Sequence, residues 1–235
     1  LVTVLAVFTL ALAVSADAIT VDQPLLLRDG KIYGYYYNTE PLEIQGITYE
    51  NGEWIIKDLD LTVCYDSSNV IDIQNKLKNS YPAIMLAEDA PLVIEGNNTI
   101  TLKLGENAEK ELMKLLKNDF EKYQEIYNNF YPSVIAAGTK DSNGSCYPIN
   151  IQGREVDGVK PTLKLVNNVL APEYNPPASV RSYNYIHTLF GFNGKIENVE
   201  PSSITVDGVS LETNAPMFCY GDITVQNCPK FEILY

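Results

Sequence analysis

The sequence predicts a mainly β chain, coiled as a parallel β-solenoid with one inserted amphipathic helix. Two observations carry this. Short alternating apolar segments are separated by Gly, Asn, Asp and Pro, which is the signature of many short strands and tight turns. The same strand pattern also recurs in the same order at two distant points of the chain. An antiparallel β-sandwich is the alternative, since it also yields alternation and turn residues.

Residues Leu1 to Val14 are apolar except for Thr3 and Thr9 and run into Ser15-Ala16-Asp17-Ala18, where Ala16 and Ala18 supply the small residues of a cleavage site. Residues 1–18 are therefore expected to be a signal peptide cut after Ala18, and residues 19–235 an exported, extracellular or cell-surface module. The run is shorter than the ~20 apolar residues of a membrane span, and no later stretch is apolar enough to cross a bilayer. The sequence lacks an initiating Met and the basic residues that normally precede such a core, and it stops in a strand-like Ile233-Leu234-Tyr235. Further sequence is expected at both ends.

Strands are predicted at Leu42-Glu43-Ile44, Trp54-Ile55-Ile56, Leu59 to Val63, Leu92-Val93-Ile94, Ile100 to Leu104, Leu163-Lys164-Leu165 and Ile204-Thr205-Val206. Between Glu106 and Phe130, apolar residues recur every three or four positions (Leu112, Leu115, Leu116, Phe120, Tyr123, Ile126, Tyr127), which predicts one helix ending before Pro132. This helix and the loop after it, at about 106–154, the segment Asp66 to Tyr81 and the Pro-rich stretch 171–177 are read as excursions from the corners of the coil.

In the repeat, Trp54 to Leu61 aligns with Ile204 to Leu211, placing 54, 56, 59 and 61 on 204, 206, 209 and 211. Pro82 to Met85 then aligns with Pro216 to Cys219, and Pro91 to Leu102 with Asp222 to Ile233. A coil about twenty residues long cannot bury its inward row alone, so stacked copies share one core. Sharp corners favour Gly and Asn at positive φ. Ile204 to Leu211 and Ala90 to Leu102 resemble the coils of right-handed parallel β-helix proteins of the pectate-lyase-like class, especially the secreted carbohydrate-binding and adhesin-like members. The resemblance implies a right-handed coil and an extracellular setting more than any activity.

With 17 basic against 30 acidic residues and a net charge of −13, nucleic acid is an unsuitable partner, because its binding depends on cations that displace counterions. Cys64, Cys146, Cys219 and Cys228 are disulfide candidates in an oxidising compartment, with Cys219 and Cys228 the nearest pair in sequence. Asn97 and Asn143 open N-glycosylation triplets. No phosphate loop, dinucleotide fingerprint or multi-histidine metal site occurs, and His187 is the sole histidine. No catalytic residue, metal or cofactor is assigned.

Tyr35 and Tyr37 would share one strand face, where their rings suit the apolar faces of sugars. They are the candidate ligand contacts, and a polysaccharide or cell-surface glycan is the expected ligand. Trp54 is expected in the core. Some β-helix family enzymes use clustered carboxylates, which draws attention to Asp58 and Asp60, two residues apart in a predicted strand. Their alternation with Leu59 and Leu61 favours an outward solvated row. The readings that follow are a non-catalytic carbohydrate-binding module, a β-helix lyase or glycoside hydrolase, and a structural or adhesive surface protein.

Overall fold

A computed structural model describes residues 17–34, 40–67, 69–78, 82–123, 132–140, 145–169, 187–191, 202–219 and 221–234. Tyr35, Tyr37, Asn143, the Pro-rich stretch 171–177 and all of the expected signal peptide but Asp17 and Ala18 lie outside these residues.

The alternating segments become strands of three six-stranded sheets, except Leu42-Glu43-Ile44, where only Leu42 pairs, in an isolated antiparallel bridge to Ile32. The first sheet holds, in spatial order, β1 (Ile19–Val21), β6 (Asp60–Tyr65), β9 (Asn97–Leu104), β12 (Thr162–Asn168), β15 (Ser210–Thr213) and β18 (Phe231–Ile233). The second holds β16 (Met217–Cys219), β13 (His187–Gly191), β10 (Ser133–Ala137), β7 (Ile84–Leu86), β2 (Leu25–Arg28) and β3 (Lys31–Gly34). In the third lie β17 (Ile223–Gln226), β14 (Ile204–Asp207), β11 (Ile149–Gly153), β8 (Leu92–Glu95), β5 (Glu53–Lys57) and β4 (Ile47–Glu50). Among these strands, pairing is parallel except in β2–β3 and β4–β5. From β5 onward the chain visits the third, first and second sheets in rotation.

Period-two patterning decides which residues point inward. In β6, Leu61, Val63 and Tyr65 are buried while Asp60, Thr62 and Cys64 are half-exposed. Stacking then builds apolar columns, such as Leu61 beside Ile100 and Ile100 beside Leu165 in the first sheet. Trp54 stands beside Leu92, which is followed by Ile151 and Val206. The partner of Trp54 in the later strand is thus Val206, two residues beyond the Ile204 that sequence alignment pairs with it. A two-residue offset keeps every side chain on its own face, so patterning alone does not distinguish the two registers. In the second sheet the ladder places Ile84 in the column of Met217, where alignment paired it with Phe218.

Turns between the third and first sheets use left-handed residues, as expected of sharp corners: Asp58, Gly96, Gly208 and Asn227 all have positive φ. Asp58 therefore belongs to a corner and not to a strand, which corrects its expected pairing with Asp60 on one strand face.

The helical segments differ from expectation in two ways. Residues 66–81, read as a turn-like excursion, contain helix α1 (Val70–Lys78), whose start is fixed by Asn69 Oδ1 accepting from the Ile71 amide at 3.0 Å. The predicted helix over 106–130 ends at Asn118 as α2 (Glu106–Asn118). Asp119 has non-helical backbone angles, and its carboxylate accepts from the Lys122 amide at 3.1 Å, capping a new helical turn. A Pro-free amphipathic pattern does not reveal such a break. The following region, read as loop, supplies β10 and β11 to the core, so the excursion does not extend to Arg154.

Both α1 and α2 leave the chain between the first and second sheets. Helix α2 packs Ala108 and Leu115 into the common core. Its first turn lacks a cap from Gly105; instead Asp66, from the preceding circuit, accepts from the Asn107 and Ala108 amides, each at 3.1 Å. Asp66→Ala should therefore cost about 1 kcal/mol, the usual loss for a helix cap, measured by chemical denaturation. An unchanged midpoint would show that the cap carries no weight.

None of the four cysteines forms a disulfide. Cys219 closes β16 and Cys228 follows β17, and neither is bonded to the other. Burial pushes the Cys219 thiol above the ordinary range. Cys64 lies on the outward row of β6, and Cys146 is buried in a bridge to Thr139.

Candidate ligand-binding face

Strands β7 and β10 of the second sheet are buried at every residue, so that part of the sheet offers no open outer face. The outer faces of the first and third sheets carry polar rows. Parallel pairing aligns these rows across strands, so residues far apart in sequence stand about 4.8 Å apart in straight columns.

On the first sheet, one outward column runs Asp60, Thr99, Lys164, Glu212, Glu232. A second runs Asn97, Thr162, Ser210, and a third Thr20, Thr62, Thr101. The first column as far as Glu212 and the whole of the second line a groove of about 510 Å³, together with Asp58 and Lys230. Its floor is cross-linked: Thr162 donates its hydroxyl to Asn97 Oδ1 at 2.9 Å, and the Asn97 amide donates to Asp58 Oδ1 at 3.0 Å. Gly96 permits this corner, because a Cβ there would lie 2.0 Å from Asp58 Oδ1. Beneath the groove, buried Asn98 accepts from the Leu59 amide at 2.9 Å and donates to the Glu95 and Thr162 carbonyls at 2.9 and 3.3 Å.

Both lysines of this groove are paired, Lys164 across adjacent strands and Lys230 within its own segment. Lys164 bonds Glu212, and Lys230 lies 2.9 Å from Glu232. The Lys164 hydrogen bond, with a further contribution from Lys230, holds Glu212 below the usual carboxylate range, and the Glu232 hydrogen bond raises Lys230. A depressed folded value gives stability that is present above the ordinary carboxylate range and lost as pH falls through the lower folded value. In a side-chain NMR titration, Glu212 should titrate below other exposed glutamates, and Lys164→Ala should return it toward them. A wild-type midpoint at the ordinary value would contradict the pairing.

The third sheet carries a different cluster. Lys57, Glu95 and Arg154 follow one another along one edge, with Lys57 Nζ 3.6 Å from Glu95 and Arg154 Nη1 3.4 Å from Glu95; Arg154 Nη2 also bonds Glu53. The Glu53 hydrogen bond raises the Arg154 value against a partial desolvation. Lys57, Glu95 and Arg154 border a groove of about 690 Å³ that also reaches Asp58 and Asp60. Glu53 and Arg154 lie 101 residues apart, and only the strand register brings them together.

The other expected site residues are dispersed. Asn97 is exposed in the first-sheet groove, while Asn143, Tyr35 and Tyr37 fall outside the described residues. Trp54 is core, as expected, with Nε1 donating to Glu88 at 2.7 Å and Tyr49 packed against its ring. His187 opens β13 opposite Ser133. Among the described residues, the lining of the first-sheet groove is polar and aliphatic, with no aromatic side chain. Among the described residues, no helix is long and apolar enough to cross a membrane and no cluster of three or more His, Cys, Asp or Glu forms a metal site. No protein family, curated protein or solved structure matches the chain.

Proposed function

We propose that the chain is a secreted, non-catalytic right-handed β-solenoid module that binds or scaffolds extracellular or cell-surface carbohydrate on the outer face of its first sheet. The solenoid reading draws on the cyclic visits to three sheets and on Ile204 pairing with Ile223 one circuit later. Export draws on the apolar opening segment, with β1 beginning at Ile19 directly after the expected cleavage point.

One observation carries the carbohydrate reading: hydroxyl, amide and carboxylate groups of Asn97, Thr99, Thr162, Ser210 and Asp60 repeat at strand spacing along an open groove. Such an array presents repeating donors and acceptors to a polymer whose own hydroxyls repeat. Two of its carboxylates are already engaged. Asp58 is committed to the Asn97 amide, and Glu212 is engaged by lysine.

A polysaccharide array incubated with the full chain tests this. Retention of the protein with no released oligosaccharide is expected, and release of product would overturn the non-catalytic reading. The enzymatic alternative has its own support, because Glu53 and Glu95 flank Arg154 beside a groove. It requires Glu53→Gln or Glu95→Gln to abolish a product-forming activity.

A further inference from the structure

Resting on that reading, we infer that the first-sheet groove selects neutral, hydroxyl-rich polysaccharides and discriminates against uronate and sulfated polymers. The discrimination follows from which charges in the groove are already satisfied. Its lining contains the carboxylates of Asp58, Asp60 and Glu212 and the ammonium groups of Lys164 and Lys230. Each lysine is taken: Lys164 by Glu212, and Lys230 by Glu232. Neither cation is left to receive an anionic sugar without breaking a pair, across adjacent strands for Lys164 and within one segment for Lys230.

Asp60 stands at the head of the column with no basic side chain within ion-pair distance among the described residues. Thr99 separates it from Lys164, so the two charges sit two strand spacings apart, about 10 Å, roughly one screening length at physiological salt. An anionic polymer in the groove would meet the Asp60 carboxylate directly, in a chain of net charge −13.

A neutral polysaccharide meets the opposite situation. An ionised carboxylate only accepts hydrogen bonds, and bonds donated to it are stronger than neutral ones. Asp60 and the free oxygen of Asp58 therefore match sugar hydroxyls as donors, while the Thr99 and Ser210 hydroxyls can both give and receive and the Thr162 hydroxyl, which donates to Asn97, can still receive. Asp60 becomes the residue that sets specificity by charge.

The test immobilises a neutral β-glucan, a mannan, polygalacturonate and alginate, and measures retention of the full chain at low and high salt. Retention on at least one neutral polymer is expected to exceed that on both uronates by at least about tenfold at low salt. The gap should narrow as salt screens the repulsion. Asp60→Asn should raise uronate retention several-fold while leaving thermal stability unchanged, since Asp60 makes no ion pair. Equal or stronger wild-type retention on uronates, weakening with salt as for an attractive site, would overturn the charge discrimination and leave carbohydrate binding standing. Retention on no polymer at all would overturn the carbohydrate reading, and this inference with it.

Discussion

Trp54→Ala is expected to destabilise the protein by about 3–5 kcal/mol, near the upper end for a single substitution. Trp54 is 1% exposed and among the largest fully buried side chains. It fills the inner row of β5 beside Leu92, next to the end of the stack where β4 closes the third sheet in antiparallel pairing. Truncation opens a cavity that β4 and β8 cannot close without shifting their ladders. It also strips Glu88 of the indole donor, although Glu88 Oε1 keeps the Gly30 amide at 3.2 Å. Trp54→Phe retains most of the ring and loses only that bond, so it should cost far less. Equilibrium denaturation distinguishes the two, and equal losses would place the weight on the hydrogen bond.

The second large effect is expected at Asn98, which occupies a column whose other members are the apolar Leu163, Leu211 and Phe231. By pattern alone, Asn98→Leu would complete an apolar row and stabilise the protein. The hydrogen bonds predict the reverse. Asn98 is 3% exposed and joins three successive circuits at one corner, through the Leu59 amide, the Glu95 carbonyl and the Thr162 carbonyl. Each buried group left unpaired costs about 1–3 kcal/mol, so Asn98→Leu should destabilise by roughly 2–5 kcal/mol despite its better hydrophobic match. A rise in stability would show that the corner tolerates unpaired backbone groups.

Asn98 also marks the limit of what the sequence discloses. Alternation made the inward residues of β6, β9, β12 and β14 legible, because a two-residue period needs no knowledge of partners. The corner residues Gly96 and Asn227 were legible as a class for the same local reason. Register was not: the columns headed by Trp54 and Ile84 differ from sequence alignment by two residues and by one. A two-residue slip keeps every side chain on its own face, and a one-residue slip escapes notice at Ile84–Leu86 because that strand is buried at every residue.

Helix α1 escaped detection because nine residues are too short for the helical spacing of Val70, Ile73 and Leu77 to stand out, and the break at Asp119 because a cap inside an amphipathic run leaves the periodicity intact. Strand β10, buried throughout, lacks the alternation that would have announced it. The candidate ligand face was the least legible part. Thr99, Lys164 and Glu212 become neighbours only through parallel pairing, and the same holds for Glu53 and Arg154.

The most direct test of the account is an NMR titration of the full chain with the neutral oligosaccharide whose parent polymer binds best, followed by backbone and side-chain shifts. The outward residues of the first sheet, Asp60, Thr99, Thr162, Lys164 and Ser210, are predicted to shift together, with inward Leu61, Ile100 and Leu165 little changed. Shifts confined to the third sheet around Lys57, Glu95 and Arg154, with the first sheet silent, would contradict it.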